Sequence, residues 1–303
     1  MRRNAGEVSY EAIVIDNASR DGSPEMVREE FPWARLVCSS TNLGFAAANN
    51  RGFALARGRY VVLLNSDAFL HSNALKLAVE RMDENPGVGL GGGRLVGRDG
   101  TWQPSARMFP SPLNELLTMT GLADRYKRSR FFGRMDRTWA DPLEPCPVDW
   151  VPGAFSIVRR ELLESSKYFD ERFFLYCEEV DLCRRIKHAG YSIWYWPDIV
   201  VTHLGGESAK TVTNLMLSTA GKHLSLWRMR SQLLYYRKHH GAFGAWSTMA
   251  VENTWNRIRA LRSSLSQVSR RNEAAKQARI TIAIMKQAWR DTRGGRVCPP
   301  TPW

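Results

Sequence analysis

The chain has 303 residues, of which 44% are hydrophobic and 24% charged, a composition typical of globular proteins rather than disordered ones. No apolar run approaches the roughly 20 residues that a membrane-spanning helix needs, and no apolar core follows the basic start as in a signal peptide. The five cysteines lack the paired spacing of a zinc site or a disulfide scaffold, so we expect reduced thiols and a cytoplasmic protein.

Strand and helix patterns alternate through the first part of the chain. Short apolar runs ending in polar residues predict strands, and the segments between them have helical periodicity. Such alternation predicts an α/β fold with a mostly parallel, Rossmann-like sheet, whose ligands bind beyond the carboxyl ends of the strands. The predicted strands are 11–15, 34–39 and 60–64, and the predicted helices are 23–30, 45–56 and 73–84.

The rest of the chain divides into an irregular, a regular and a basic region. Residues 91–147 are rich in Gly, Pro and Arg, and we expect long loops there around a helix near 113–122. A strand at 149–158, helices at 160–165 and from Glu178, and an aromatic strand leading to His203 complete the predicted sheet domain. The domains predicted from the sequence are an α/β domain at 1–210, a basic helical extension at 211–293 and a flexible tail at 294–303.

Polar residues follow two of the predicted strands. Asn65-Ser66-Asp67 comes directly after a buried strand, and its oxygen atoms suit Mg²⁺ or Mn²⁺ bound to a diphosphate. Asp16 follows the first strand and could bind a nucleobase or cap the next helix. Read alone, both segments favour ordinary turns, because Asn, Ser and Asp are common turn residues.

A cluster of carboxylates begins the helix predicted from Glu178. Glu178, Glu179 and Asp181 lie within four residues, after an aromatic run that would exclude water. Burial and like charge raise carboxyl pKa values, and a carboxylate with a pKa near neutral can act as a general base. The alternative is an acidic helix N-terminus that pairs with Arg184 and Arg185.

His203 has two interpretations of equal weight. It follows a strand-like segment and could be a metal ligand or a donor to phosphates. A single histidine is also often structural.

Taken together and in order, five motifs resemble those of family 2 glycosyltransferases, and most closely bacterial rhamnosyltransferases. The resemblance covers roughly residues 10–210, and five ordered motifs are far more specific than any one of them. It favours the functional interpretation of each segment. The motifs are residues 14–23 (VIDNASRDGS), 42–49 (NLGFAAAN), 64–67 (LNSD), 150–154 (WVPGA) and 178–182 (EEVDL).

The resemblance implies a GT-A fold and an inverting, cation-dependent sugar transfer from a nucleotide-diphosphate donor, dTDP-rhamnose or a UDP-sugar, to a glycan or lipid-linked acceptor. Glu179 would be the base, Glu178 would position the acceptor, and Asp181 belongs to the same catalytic group. Asp67 and His203 would bind the divalent cation, Mg²⁺ or Mn²⁺. The donor-binding residues would be Asp16, Asn42, Gly44, Asn49, Asn65, Trp150 and Gly153.

Two departures from the family motifs affect this interpretation. Relatives have an apolar strand and helix before the equivalent of residues 11–15, so we expect a misassigned start or a fragment whose sheet lacks a central strand. Glu179 also stands where the family has Asp. A catalytically inactive scaffold or membrane-surface protein is therefore the alternative function. A nucleotidyltransferase would need a Gly-rich, basic triphosphate loop, which the sequence lacks.

The net charge of +13 is concentrated at the C-terminal end of the chain. Residues 222–303 contain 16 Lys and Arg but 3 Asp and Glu, whereas residues 1–221 contain 27 of each. Helical segments at 224–237 and 272–290, with Trp227, Leu233, Ile284 and Trp289, suit an anionic membrane surface at the inner face of the plasma membrane. A packed helical hairpin or a homodimer has equal weight. We expect no nucleic-acid partner, since no known binding module accompanies the charge.

Overall fold

The computed structural model describes residues 7–204, 219–264 and 269–299. The chain forms two compact units that interleave along the sequence. Met1–Phe109, Asp136–Glu171 and Glu178–Gly205 form the first, here the sheet unit; Pro110–Met135, Arg172–Cys177 and Gly206–Trp303 form the second, the helical unit. The division at 1–210, 211–293 and 294–303 stays a prediction; residues 211–218 and 300–303 lie outside the described residues.

The sheet unit contains all of the described strands. They are β1 Ile13–Asp16, β2 Arg35–Cys38, β3 Tyr60–Leu64, β4 Ala68–Leu70, β5 Val88–Val96, β6 Trp102–Gln103, β7 Cys146–Val148, β8 Phe155–Arg159 and β9 Ser192–His203. Its helices are α1 Ser23–Glu30, α2 Phe45–Phe53, α3 Ala74–Glu84, α6 Arg160–Ser165 and α7 Glu178–His188. The α/β class is confirmed, and all six strands and helices predicted between residues 11 and 84 match observed elements within three residues.

Strand pairing is mixed, where we expected a mostly parallel sheet. β1 and β2 pair in parallel as a separate two-stranded sheet. The other seven strands form one sheet in the order β3-β8-β5-β9-β4, with β6 on β5 and β7 on β9. Among the described strands of that sheet, β5 and β9 pair in parallel and every other pair is antiparallel. Strand direction depends on contacts between distant segments, which local periodicity does not report.

Residues 91–96 of β5 lie in the segment where we expected loops, and for these residues that expectation is wrong. Its glycines are needed because neighbouring side chains pack directly over the strand. A Cβ atom on Gly91 would lie 1.9 Å from Cζ3 of Trp196, and one on Gly93 would lie 2.4 Å from the carbonyl oxygen of Ile199. The run of glycines therefore leaves room for the residues of β9 to pack against β5, and it does not interrupt the sheet.

One apolar face of α3 packs against the seven-stranded sheet and forms the core of the sheet unit. Ala74, Ala78 and Met82 recur at spacings of four residues and are buried. Phe155 and Ile157 of β8 are buried in the same cluster. This packing holds the carboxyl end of β3, where the polar residues follow, at a fixed place in the unit.

The helical unit contains α4 Pro112–Met119, α5 Leu122–Arg125, α8 Thr219–Ser264 and α9 Ser269–Asp291. α8 is interrupted at Gly241, where φ is 69° and ψ is −166°. Arg230 of α8 forms an ion pair with Asp291 of α9. The residues at the start of the predicted tail are packed: a Cβ on Gly295 would lie 2.2 Å from the Leu233 carbonyl oxygen.

A buried carboxyl group lies between α4 and α8. The Gln232 amide Nε2 donates to Glu115 Oε2 at 2.6 Å. Burial raises the pKa of Glu115 to about 7, and the neighbouring Glu252 carboxylate adds to the shift. The Arg228 guanidinium and the Tyr236 phenol oppose it. The helical unit therefore contains an acid that titrates near neutral pH.

Of the four side chains that suggested a membrane face at 224–237 and 272–290, three are buried and Trp289 is partly buried, and the membrane association itself stays a prediction. Trp227, Leu233 and Ile284 are buried inside the helical unit, because they form the interior of a helical hairpin. Among the described helices, none combines the length and the apolar composition that crossing a membrane requires.

Candidate active site

Polar residues at the end of β1 and in the loop before α2 form one hydrogen-bonded cluster. Ser19 N–H donates to Asp16 Oδ1 at 3.2 Å, and Asp16 is buried. Asn17 Nδ2 donates to Asn42 Oδ1 at 3.0 Å and to the Gly44 carbonyl at 3.2 Å. Asn17 Oδ1 in turn accepts from Leu43 N–H at 2.8 Å. Asn17 thus joins the Asp16 and Asn42–Gly44 motifs, which lie far apart in sequence.

Asn49 makes a local contact instead. Its Nδ2 donates to the Phe45 carbonyl at 2.8 Å, within its own helix. The next residue, Asn50, exchanges hydrogen bonds with the backbone of Phe169 and so connects α2 to a distant loop. α2 is thereby fixed in direction relative to the residues that precede α7.

A second cluster of polar residues surrounds the turn between β3 and β4. Asn65 N–H donates to the Ala154 carbonyl, and Ala68 N–H closes the turn onto Asn65. β4 pairs antiparallel with β9 so that Ala68 lies opposite His203. His203 Nε2 consequently lies 3.4 Å from Asp67 Oδ1. The two residues predicted as metal ligands are brought together by this strand register.

Gln103 orients the His203 ring. Its Nε2 donates to the His203 carbonyl at 2.9 Å, which turns its Oε1 towards His203 Nδ1 at 3.0 Å. An acceptor at that distance favours a proton on Nδ1 and leaves the Nε2 lone pair facing the Asp67 carboxylate. A lone pair and a carboxylate repel one another unless a cation or a second proton lies between them.

This pair fits a divalent cation that keeps other ligands from solvent and substrate. Within residues 7–204, 219–264 and 269–299 there is no group of three or more His, Cys, Asp and Glu that could enclose a metal. Mg²⁺ is commonly bound by one or two carboxylates, with waters and substrate phosphates completing its coordination. Asp67 and His203 would therefore supply part of such a shell.

The carboxylates of the fifth motif, residues 178–182, begin α7. Glu178, Glu179 and Asp181 lie in its first turn and basic residues in its last, an arrangement that the helix dipole favours. Glu178 is buried, whereas Glu179 remains partly exposed. One oxygen of each, Oε2, is buried without a hydrogen-bond partner. Each of these two oxygens is therefore a buried acceptor that could still accept a hydrogen bond.

Burial raises the pKa of both glutamates, and the negative charge of Glu179 adds to the shift of Glu178. The Glu178 carboxyl donates a hydrogen bond to Glu179, which opposes the rise in the pKa of Glu179. The Arg107 guanidinium and the Gly153 backbone N–H stabilise the Glu179 carboxylate in the same direction. Glu178 therefore holds its proton more strongly, and Glu179 is the more accessible base of the two.

The segment before β8 connects Glu179 to the turn after β3. Gly153 N–H donates to Glu179, and the following carbonyl, of Ala154, accepts from Asn65. A Cβ on Gly153 would lie 3.5 Å from the Phe45 ring, directly after Gly44. Gly153 thus lies between the first turn of α7, the turn after β3 and the start of α2. Trp150 is buried, donates to the Met108 carbonyl at 3.0 Å and has Arg107 over its ring.

Asp181 is held in a different contact. Its side chain is fully buried, and its Oδ2 accepts from Arg185 Nε at 2.8 Å. Arg185 also donates to the carbonyls of Ser166 and Tyr168. This ion pair stabilises the position of α7, as the structural alternative for Asp181 predicts, and its catalytic role stays a prediction.

Three residues of the site were not predicted from the sequence: Asn17, Gln103 and Arg107. Asn17 follows a predicted strand end, so its position was a usable signal. Gln103 and Arg107 lie in the irregular segment 91–147, where no periodicity indicated which residues would reach the site.

Comparisons with known proteins identify the family of this chain. Residues 3–165, more than half of the chain, match the sequence model described as glycosyl transferase family 2. The N-acetylglucosaminyl-diphospho-decaprenol L-rhamnosyltransferase of Mycobacterium tuberculosis is 29% identical over 210 residues, covering 66% of this chain and 68% of that protein. Rhamnosyltransferase WbbL of Escherichia coli is 39% identical over 56 residues, covering 18% of this chain and 21% of its own.

Among solved structures, GalNAc-T7 with UDP, GalNAc and Mn²⁺ has a TM-score of 0.52 at 13% identity. The match covers 90% of this chain and 48% of that one. At this identity the likeness concerns the fold alone, and it agrees with a GT-A arrangement.

Proposed function

Because the chain belongs to glycosyl transferase family 2 and is a glycosyltransferase, we propose that it transfers rhamnose from a nucleotide-diphosphate donor to a hydroxyl of a glycan or lipid-linked acceptor, in bacterial cell-surface polysaccharide synthesis. Two rhamnosyltransferases among its relatives support the choice of sugar. The Mycobacterium tuberculosis relative is named for a lipid-linked acceptor, which supports that class of acceptor. dTDP-rhamnose is the first donor to test and a UDP-hexose the second.

The donor is proposed to lie along the two clusters of polar residues at the strand ends. Asp16 would bind the base, and Asn42 and Gly44 would line the pocket, where Asn17 holds their loop. Asn65 would contact the ribose or the cation. Asn49 would act through the start of α2, given its bond to Phe45. Trp150 and Gly153 would border the sugar.

A divalent cation, Mg²⁺ or Mn²⁺, would be held by Asp67 and His203, and when bound it would neutralise the diphosphate leaving group. Gln103 would keep the His203 ring turned for this contact. Asp67 supplies the negative charge of the pair. The 3.4 Å separation of the two side chains supports their sharing a ligand.

The reaction would be a single displacement. Glu179 removes the proton from the acceptor hydroxyl as that oxygen attacks the anomeric carbon. The bond between this carbon and the diphosphate oxygen breaks with its electron pair, and the configuration inverts. Glu178, as a positioning residue, donates a hydrogen bond to Glu179 and directs its carboxylate.

The observation that carries the proposal is the environment of Glu179. Its carboxylate is desolvated, hydrogen bonded to Glu178 and Gly153, and retains a free buried oxygen. A merely structural acid at a helix N-terminus would have its oxygens satisfied, as Asp181 has with Arg185.

The decisive experiment measures nucleotide diphosphate released from dTDP-rhamnose and from UDP-hexoses, with an acceptor and with Mn²⁺ or EDTA. Glu179→Gln keeps the size of the side chain but removes the base. We expect kcat to fall by about 100- to 10,000-fold. Asp67→Ala should abolish the Mn²⁺-dependent release of nucleotide diphosphate.

Glu161→Gln, an exposed glutamate of α6, is the matched control and should retain wild-type activity. Wild-type turnover that survives Glu179→Gln would refute the assignment of the base. A folded wild-type chain that releases nucleotide from no donor would favour the inactive scaffold.

A further inference from the structure

The second half of α8 exposes large apolar side chains along one side. Beyond the interruption at Gly241, four such residues are well exposed. Phe243 is 73% exposed, Trp246 52%, Ile258 43% and Leu261 63%. These four residues are here named the exposed stripe. Single exposed apolar residues are common in soluble proteins, but an aligned set of four marks an interaction surface.

The exposed stripe follows the period of the helix. Phe243 and Trp246 are three positions apart, and so are Ile258 and Leu261. Steps of four through residues 250 and 254 connect the two pairs, so the four side chains lie on one face of the helix. The Phe243 and Trp246 rings contact each other, with centroids 5.8 Å apart. The opposite face is buried in the helical unit and includes Ala245, Thr248, Glu252 and Asn256.

Positive charge accompanies this apolar face. Arg257 lies on the face of the exposed stripe and Arg262 lies at its border, and both side chains are exposed. The only acidic residue between positions 241 and 264 is Glu252, which faces the interior and is 8% exposed. The surface is therefore apolar at its start, apolar and cationic at its end, and free of exposed carboxylates throughout this segment.

We propose that the exposed stripe, together with Arg257 and Arg262, forms a docking surface for an anionic phospholipid leaflet. Aromatic and aliphatic side chains on one helix face enter the boundary between headgroups and acyl chains. Arginines beside them bind lipid phosphates. A second copy of this chain suits the face less well, because two such surfaces would bring like charges together.

The test is flotation of the purified full chain with vesicles of phosphatidylglycerol and phosphatidylcholine, and with vesicles of phosphatidylcholine alone. Wild type should bind the anionic vesicles and lose binding in high salt. The triple variant Phe243→Ser, Trp246→Ser, Leu261→Ser should bind at least about tenfold more weakly. Arg257→Gln, Arg262→Gln should weaken binding to anionic vesicles by about 30-fold.

Matched controls come from the sheet unit. Leu143→Ser removes an aliphatic side chain of 58% exposure, and Arg51→Gln, Arg98→Gln removes two exposed arginines. Both should bind as wild type does. All variants should retain the wild-type Tm, since they change exposed positions. Equal vesicle binding by the stripe variants and the control variants would overturn the proposal. It would also be overturned if the wild-type chain were a dimer and the stripe variants made it monomeric without changing vesicle binding.

Discussion

Glu178 and Glu179 are adjacent in sequence but have different surroundings. Glu178 is almost wholly buried, and burial together with the charge of Glu179 raises its pKa well above the usual value. Glu179 is partly exposed and has Gly153 N–H and Arg107 to stabilise its charge. Two carboxyl groups whose environments separate their pKa values divide the tasks of proton donor and proton acceptor.

This division predicts the pH dependence of kcat/KM. Activity should rise with pH as the pair loses its first proton, with an apparent pKa above that of an ordinary glutamate. Glu178→Leu removes the hydrogen bond to Glu179 and should move this limb to higher pH. Glu178→Gln keeps an amide donor and should restore the limb towards its wild-type position. Identical profiles for the two variants would contradict the role of Glu178 as a hydrogen-bond donor.

Gln103 predicts a measurable effect on cation affinity. Gln103→Ala removes the acceptor for His203 Nδ1–H and should weaken Mn²⁺ binding by about 10- to 100-fold. Gln103→Glu keeps an acceptor at that position and should bind Mn²⁺ at least as well as wild type. Calorimetric titration with Mn²⁺ measures both without relying on turnover. Unchanged affinity in Gln103→Ala would exclude this role for Gln103.

Among the elements, β5 shows why a glycine-rich run can be a strand. The side chains of β9 and of the segment around Val151 occupy the space where Cβ atoms would stand. The flexibility that glycine confers in isolation is removed by pairing on both edges, with β8 and β9. Packing between elements therefore decides the conformation here against local propensity.

Substitution of these glycines tests the packing directly. Gly91→Ala should lower the free energy of unfolding by about 1–3 kcal/mol, because its Cβ would overlap the Trp196 ring. Gly87→Ala, where nothing lies within 4 Å, should change it by less than about 0.5 kcal/mol. Urea unfolding followed by circular dichroism gives both values. An equal effect of the two substitutions would mean that the ring moves aside at little cost.

The short strands β1 and β3 each have one edge without a strand partner in the described part of the chain. Both carry apolar residues that are only partly buried, such as Ile15 and Val62. The expectation that a central strand is missing from the sheet stays a prediction. The Glu11 carboxylate nevertheless links the start of β1 to the loop before β3, through Arg57 and Gly58.

At the scale of the whole molecule, the two units differ in charge and in how they respond to pH. The excess of positive charge lies beyond residue 221, and the titrating Glu115 is in the helical unit. Below about pH 4.5, Glu115 keeps its proton in the folded chain, and its contribution to stability is fully present. That contribution is lost as the pH rises through its folded-state pKa of about 7.

Glu115→Gln should therefore raise the stability of the chain at pH 8 by about 1–3 kcal/mol, with little effect at pH 4. The amide retains the shape of the side chain without the buried charge. Thermal unfolding between pH 4 and pH 8 measures the change. Glu273→Gln, at an exposed position of α9, is the control and should leave the Tm unchanged at every pH. A parallel pH dependence of wild type and Glu115→Gln would contradict the prediction.

The sequence by itself determined the family, the α/β class, the local elements with clear periodicity and the motifs at the strand ends. These depend on neighbouring residues: apolar spacing, turn residues after strands, and acids in the first turn of a helix. It also showed that the excess charge is confined to the last part of the chain.

Only the tertiary structure decided strand direction, the place of Gly91–Gly93 in a central strand, and the partners of the site residues. The register of β4 on β9 brings His203 to Asp67, and Gln103 reaches His203 from β6. It also separated buried Trp227 from exposed Trp246, which look alike in sequence. The physical reason is the same in each case: these outcomes depend on contacts between residues distant in the chain.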